Sequence, residues 1–123
     1  MGGNHTELEV RNISMELAEA IYRTTTKFPT TERFGLSNQM RRAAVSIASN
    51  IAEGRGRRST RDFKRFLDIA YGSLLELETQ LSLSKRLGYL SAENSQRSDE
   101  LTSRTGRLLN GLRRSLIAIS ERG

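Results

Sequence analysis

A chain of 123 residues, 36% hydrophobic and 28% charged, has room for one domain with one core and the balance of a globular protein rather than a disordered one. It has no cysteine and a single histidine, His5, near the N-terminus, which argues against a disulfide framework, a thiolate metal site and histidine-based catalysis. The net charge is +6, no apolar run approaches the roughly 20 residues needed to span a bilayer, and residues 1–9 lack the apolar centre of a secretory signal, so a cytoplasmic protein with no membrane role is expected.

The first predicted helix covers about 7–28. Ile13, Leu17, Ala20, Ile21, Thr24 and Phe28 recur at helical spacing, and Pro29 stops the run because it pushes the preceding residue out of helical geometry. A second helix, about 37–53, takes Ser37 as its cap and Leu36, Met40, Ala43, Ala44, Ile47 and Ile51 as its stripe, with Gly54 placed for a left-handed C-terminal cap. The loop Arg55 to Ser59 leads to the third helix, about 60–87, capped by Ser59 or Thr60. Its apolar face is Phe63, Leu67, Ala70, Leu74, Leu77, Leu81 and Leu87, and Gly88 ends it. Ser91 caps a fourth helix, about 92–120, striped by Leu101, Thr105, Leu108, Leu112, Leu116 and Ile119, whose polar first half, Ala92 to Glu100, is expected to fray or stand exposed. No segment alternates like a strand. Four amphipathic helices with short connections predict one all-α domain over 1–123, an antiparallel up-down-up-down four-helix bundle.

The charge is local. Between Arg41 and Phe66 lie eight basic residues and two acidic ones, so this segment alone carries the whole excess, and the remaining residues sum to zero. Arginine dominates, with 17 of the 20 basic residues, and its planar fork suits phosphate and carboxylate. Arg55, Arg57, Arg58, Arg61, Lys64 and Arg65, with Arg41 less central, are the candidate nucleic-acid contacts. They sit beside the amide donors at the start of the third helix, and their binding would be salt-sensitive and indifferent to sequence. The competing reading is a solvated arginine loop. Arg42, Asn50, Glu53, Ser73 and Glu76 are expected to form a polar network at a helix or subunit junction, with Gly72 opposite Ala43 and Ala44 where the second and third helices pack. Tyr22, Tyr71, Tyr89, Phe34, Phe63 and Phe66 are read as packing residues before base-stacking ones. No nucleotide fingerprint or metal spacing is present, no cofactor or metal is expected, and a carboxylate pair of Glu53 with Glu76 lacks a nucleophile or base beside it.

Several strings share a known pattern. They are Gln39-Met40-Arg41-Arg42-Ala43-Ala44, Ser46-Ile47-Ala48-Ser49-Asn50-Ile51-Ala52-Glu53-Gly54, Ala70-Tyr71-Gly72-Ser73-Leu74-Leu75-Glu76-Leu77-Glu78 and Leu87-Gly88-Tyr89-Leu90. Through them the chain resembles the bacterial four helix bundle proteins, also called 23S rRNA-intervening-sequence proteins. The resemblance implies a ring-like homo-oligomer, a pentamer foremost, and kinship with the accessory variability proteins of diversity-generating retroelements, which bind nucleic acid and a reverse transcriptase. Ala48 stands where the family often has proline, so a kink there is not expected. A non-enzymatic protein that binds RNA or DNA is therefore the leading expectation. The alternative is a protein–protein adaptor whose basic ring docks an acidic partner such as a reverse-transcriptase-type enzyme.

Overall fold

The computed structural model describes residues 2–122, and side chains over residues 5–119. Four helices make the fold: α1 (Gly2–Thr26), α2 (Leu36–Arg55), α3 (Thr60–Arg86) and α4 (Ala92–Arg122), with one 3-10 turn (Thr30–Glu32) between α1 and α2. There is no strand among the described residues. Each helix packs on its two chain neighbours, α4 closing back on α1, while the diagonal pairs do not pack together; α2 against α3 is the most extensive contact. The result is the expected antiparallel square. At 1.5 Å per residue, the 27 residues of α3 make a rod of about 40 Å, which needs such neighbours along its length. No described helix is long and apolar enough to cross a membrane.

The buried seams run at alternating steps of three and four. On α3 they are Leu67, Ala70, Leu74, Leu77, Leu81 and Ser84, and on α4 Ser95, Ser98, Thr102, Thr105, Leu109, Leu112 and Leu116. That spacing is the bundle seam, in which side chains of one helix enter the spaces of the next. It corrects the predicted α4 stripe in two ways. Leu109, not Leu108, is fully buried, and Ile119 is exposed. The polar first half of α4 is not left outside, because Ser95, Ser98 and Thr102 continue the same register into the core. Their hydroxyls are satisfied locally: Ser95 donates to the Ala92 carbonyl at 3.0 Å and Thr102 to the Ser98 carbonyl at 2.6 Å, while Thr24 and Ser98 share a bond of 3.2 Å across α1 and α4. Leu87, assigned to the α3 core face, is half exposed because α3 has already ended.

Helix ends show which capping expectations hold. Ser59 accepts from the Asp62 N–H at 3.1 Å and Ser91 from the Asn94 N–H at 3.0 Å, as predicted, and Gly88 adopts φ +79° just past α3. Ser37 is not the cap of α2. It is buried inside the first turn, and the Glu32 carboxylate accepts the Leu36 N–H at 3.0 Å instead. Gly54 is no left-handed cap either, because α2 runs through it to Arg55. Glycine is required there by space: a Cβ would lie 2.8 Å from Phe66 Cβ and 3.2 Å from the Phe63 carbonyl oxygen. Gly72 reverses its expectation too. It faces outward with nothing within 4 Å, and Ala43 and Ala44 pack elsewhere in the core. α2 passes Ala48 without interruption.

Candidate nucleic-acid interface

The up-down topology brings the N-terminal part of α1, the 56–59 loop, the start of α3 and the C-terminal part of α4 to one end of the bundle, here called the loop end. Arg55, Arg57, Arg58, Arg61, Lys64 and Arg65 all belong to it. Arg41 does not. It lies near the start of α2, where its guanidinium donates to Thr25 Oγ1 at 2.8 Å and to the Tyr22 carbonyl at 3.2 Å, and covers the Tyr22 ring at 4.7 Å. There it ties the last turn of α1 to α2, a packing task at the end opposite the loop.

Local pairing sorts the remaining cations. Arg57 bonds Glu53 one turn back, Lys64 bonds Asp68 at 2.8 Å, and Arg55 and Arg65 approach Glu7 and Asp62 at 3.9 Å. Such exposed pairs contribute about 0–1 kcal/mol each and exchange readily for another anion. Arg58 and Arg61 are exposed and have no ion pair or hydrogen bond among the described residues. Arg57 and Arg65 also lie over the Phe66 ring, 4.7 and 4.6 Å from its centroid. Phe66 itself is pinned beneath Gly54, so it is a support for these two side chains.

The start of α3 is less inviting to a free anion than the sequence suggested. Ser59 occupies the Asp62 N–H, and Asp62 and Asp68 line the shallow depression there together with Arg61, Lys64 and Arg65. The guanidinium donors most open to an anion are therefore those of the outward rim, Arg58 and Arg61. Burial pushes the Asp68 carboxyl up, but hydrogen bonds from Lys64 and Arg113 outweigh it and hold the group below the ordinary carboxylate range. Asp68 stays ionised and joins α3 to α4 through Arg113, at 2.9 Å.

The predicted polar network is smaller than drawn. Ser46 and Ser73 share a bond of 2.8 Å across α2 and α3, and Asn50 donates to the Ser46 carbonyl and hydroxyl at 2.8 and 3.1 Å. Arg42 and Glu76 form no bond within it, and Glu53 turns to Arg57. Arg42 instead borders a surface hollow with Tyr22, Asn38 and Val45.

Comparison with known proteins now bears on this arrangement. The family model of the 23S rRNA-intervening sequence protein matches residues 6–111, from α1 into α4, and includes Arg55, Arg57, Arg58, Arg61, Lys64 and Arg65 of the loop end. The chain belongs to the 23S rRNA-intervening sequence protein family. Among solved structures it is similar to a protein of unknown function from the S23 ribosomal protein family of Bacteroides thetaiotaomicron, at 26% identity and a TM-score of 0.82, covering 89% of this chain and 98% of that one. No curated protein matches.

The folded chain adds two cations that sequence reading missed. Arg113 stacks on the Tyr71 ring at 4.3 Å, and Arg114 beside it is exposed. They lie far from the basic segment in the chain, and only the return of α4 places them at the loop end. The Arg113-Arg114 pair, combined with the predicted topology, was the available signal.

Proposed function

We propose that this family member is a non-enzymatic, homo-oligomeric protein, pentameric in the first instance, that binds RNA or DNA by the phosphate backbone at its loop end. One observation carries the reading. Six of the eight basic residues in the segment that holds the net charge fold into a single end, where Arg58 and Arg61 stand exposed and, among the described residues, unpaired between the Phe66-supported Arg57 and Arg65. An unpaired surface arginine keeps its forked donors for a phosphate, and several on one face give affinity without reading bases. The titratable pairs resolved at this end are surface ion pairs, which favours a binding role over a catalytic one.

Two different exposed apolar strips support assembly. Leu8, Met15 and Tyr22 recur every seventh residue along α1 beside Val45 of α2, whereas Ile69, Leu75 and Leu83 lie along α3. Two unlike strips fit a head-to-tail contact, which closes into a ring and repeats the basic end around it.

The test is fluorescence anisotropy with labelled structured RNA and duplex DNA across a salt series. Arg58→Glu plus Arg61→Glu is compared with a charge-matched control at the opposite end, Arg23→Glu plus Arg86→Glu. Binding that falls steeply with salt and is lost in the first variant alone is expected. Absence of binding at low salt overturns the reading and puts first the adaptor alternative, a basic ring that docks an acidic protein such as a polymerase-type enzyme.

A further inference from the structure

The aromatic rings of the loop end are already taken. Both guanidinia of Arg57 and Arg65 lie over Phe66, Arg113 lies over Tyr71 at 4.3 Å, and Phe63 is half-buried against the core and Gly54. The ring left most open, Phe34 at 84% exposure, is at the other end, as is Tyr22 under Arg41. This distribution separates two kinds of nucleic acid. Unpaired strands are held largely by bases stacking on open aromatic faces within a basic groove. In a duplex the bases stack on one another, and what reaches a protein is the sugar–phosphate backbone and the groove edges.

A guanidinium laid against a ring uses its face, while its N–H donors point out from its edge, where a phosphate can reach those not held by Glu53, Asp62 or Asp68 and can compete for the rest. Phe66 thus serves two arginines at once, and Gly54 beneath it fixes where the ring sits. Stacking also removes rotamer freedom from long side chains before any ligand arrives, which lowers the entropy lost on binding. Arg113, held by Asp68 and Tyr71, is fixed in the same manner on α4. These supported arginines present a set of backbone contacts and no stacking platform.

We propose that the loop end binds double-stranded nucleic acid through its phosphates and discriminates against unpaired strands, with Phe66 as the positioning residue for Arg57 and Arg65. The proposal rests on the nucleic-acid reading above.

The experiment compares blunt RNA duplex, blunt DNA duplex, oligo-uridine and oligo-deoxythymidine of equal length as competitors, with the full chain, at two salt concentrations. Tighter binding of a duplex than of either unpaired strand, on the order of tenfold, is expected, the scale of one missing stacking contact. Preference for one duplex supports the proposal and names the helical form that is read. Unpaired strands binding as well as duplexes overturn it while leaving nucleic-acid binding intact, whereas failure of all four ligands overturns the underlying reading. Phe66→Leu keeps every charge, so it should weaken duplex binding while the salt slope stays unchanged, in a protein whose circular dichroism is still helical. Arg65→Lys, which keeps the charge and loses the flat stacking face, should do the same if the Phe66 variant fails to fold. Unaltered duplex affinity in a folded variant removes the positioning role.

Discussion

Two glycines show how differently one residue type is used. At Gly54 a methyl group would press on Phe66 Cβ at 2.8 Å and on the Phe63 carbonyl at 3.2 Å, and backbone cannot move aside cheaply. Gly54→Ala is therefore expected to destabilise by about 1–3 kcal/mol, as overpacking does, and to disturb the seat of Phe66. Gly72 stands on the outer face of α3 with open space around it. Gly72→Ala should stabilise by about 1 kcal/mol, the usual helix-interior difference. Urea unfolding of both variants checks the pair. A loss of stability at Gly72, with a fall in assembled mass, would instead place that glycine in a contact between copies. Neither role was visible in the sequence, where Gly54 looked like a cap and Gly72 like a close approach. Both misreadings have one cause: a glycine's purpose lies in what faces it, and facing residues come from another helix.

Among the elements, α4 departs furthest from its sequence pattern. A search for large apolar residues finds Leu108 and Ile119, but the seam follows geometry and takes whatever occupies its positions, including Ser95, Ser98, Thr102 and Thr105. Small hydroxyl residues enter a core when the helix's own carbonyls accept their hydrogens, as the Ser98 carbonyl does for Thr102. Thr105 is the exception, being fully buried with its hydroxyl lacking a protein partner. Thr105→Val, which keeps the shape and removes the unpaired group, is expected to raise stability by about 1 kcal/mol in the same unfolding assay.

Connections between elements carry their own pH dependence. Glu32 accepts the Leu36 N–H and the Tyr89 hydroxyl, at 3.0 and 2.8 Å, so one carboxylate joins the start of α2 to the turn before α4. The Leu36 amide and then the Tyr89 hydroxyl hold the Glu32 carboxyl below its ordinary value, and the same bond raises the Tyr89 phenol. The folded pKa of Glu32 lies under the unfolded one, so its contribution is present above the unfolded value and is lost as pH falls through the folded one. Glu32→Gln should therefore flatten part of the acid limb of a stability-versus-pH curve, read as urea midpoints from neutral pH downward. Tyr89 works in the opposite sense, its contribution being lost as pH rises through its raised pKa.

At the scale of the whole molecule, charge and apolar surface are segregated. Six basic residues from 55–65, with Arg113 and Arg114, gather at the loop end, while apolar side chains stay exposed along the sides of α1 and α3. Leu75 and Leu83 are 47% and 44% exposed, so charging them removes little from the core of one copy. Leu75→Glu plus Leu83→Glu should leave helicity unchanged and shift sedimentation from an assembly to a single chain. A wild-type protein that already sediments as one chain would remove the ring from the proposal. On the proposed ring, where neighbouring basic ends would add avidity, the same variant should lower apparent nucleic-acid affinity without altering any arginine.

Periodicity, capping residues and turn chemistry are local, and they sufficed for four helices, their order, their antiparallel course and most of their core faces. Composition placed the excess charge in one segment, because charge is additive along a chain. What required the folded chain was everything set by proximity between distant residues. Arg41 left the candidate site because Thr25 and Tyr22 accept it across α1 and α2. Arg113 joined the loop end because α4 returns there and Asp68 and Tyr71 meet it. Phe66 became a seat for two guanidinia only once Gly54 lay beneath it. A side chain's partners are chosen by packing, and packing joins residues that the sequence holds apart.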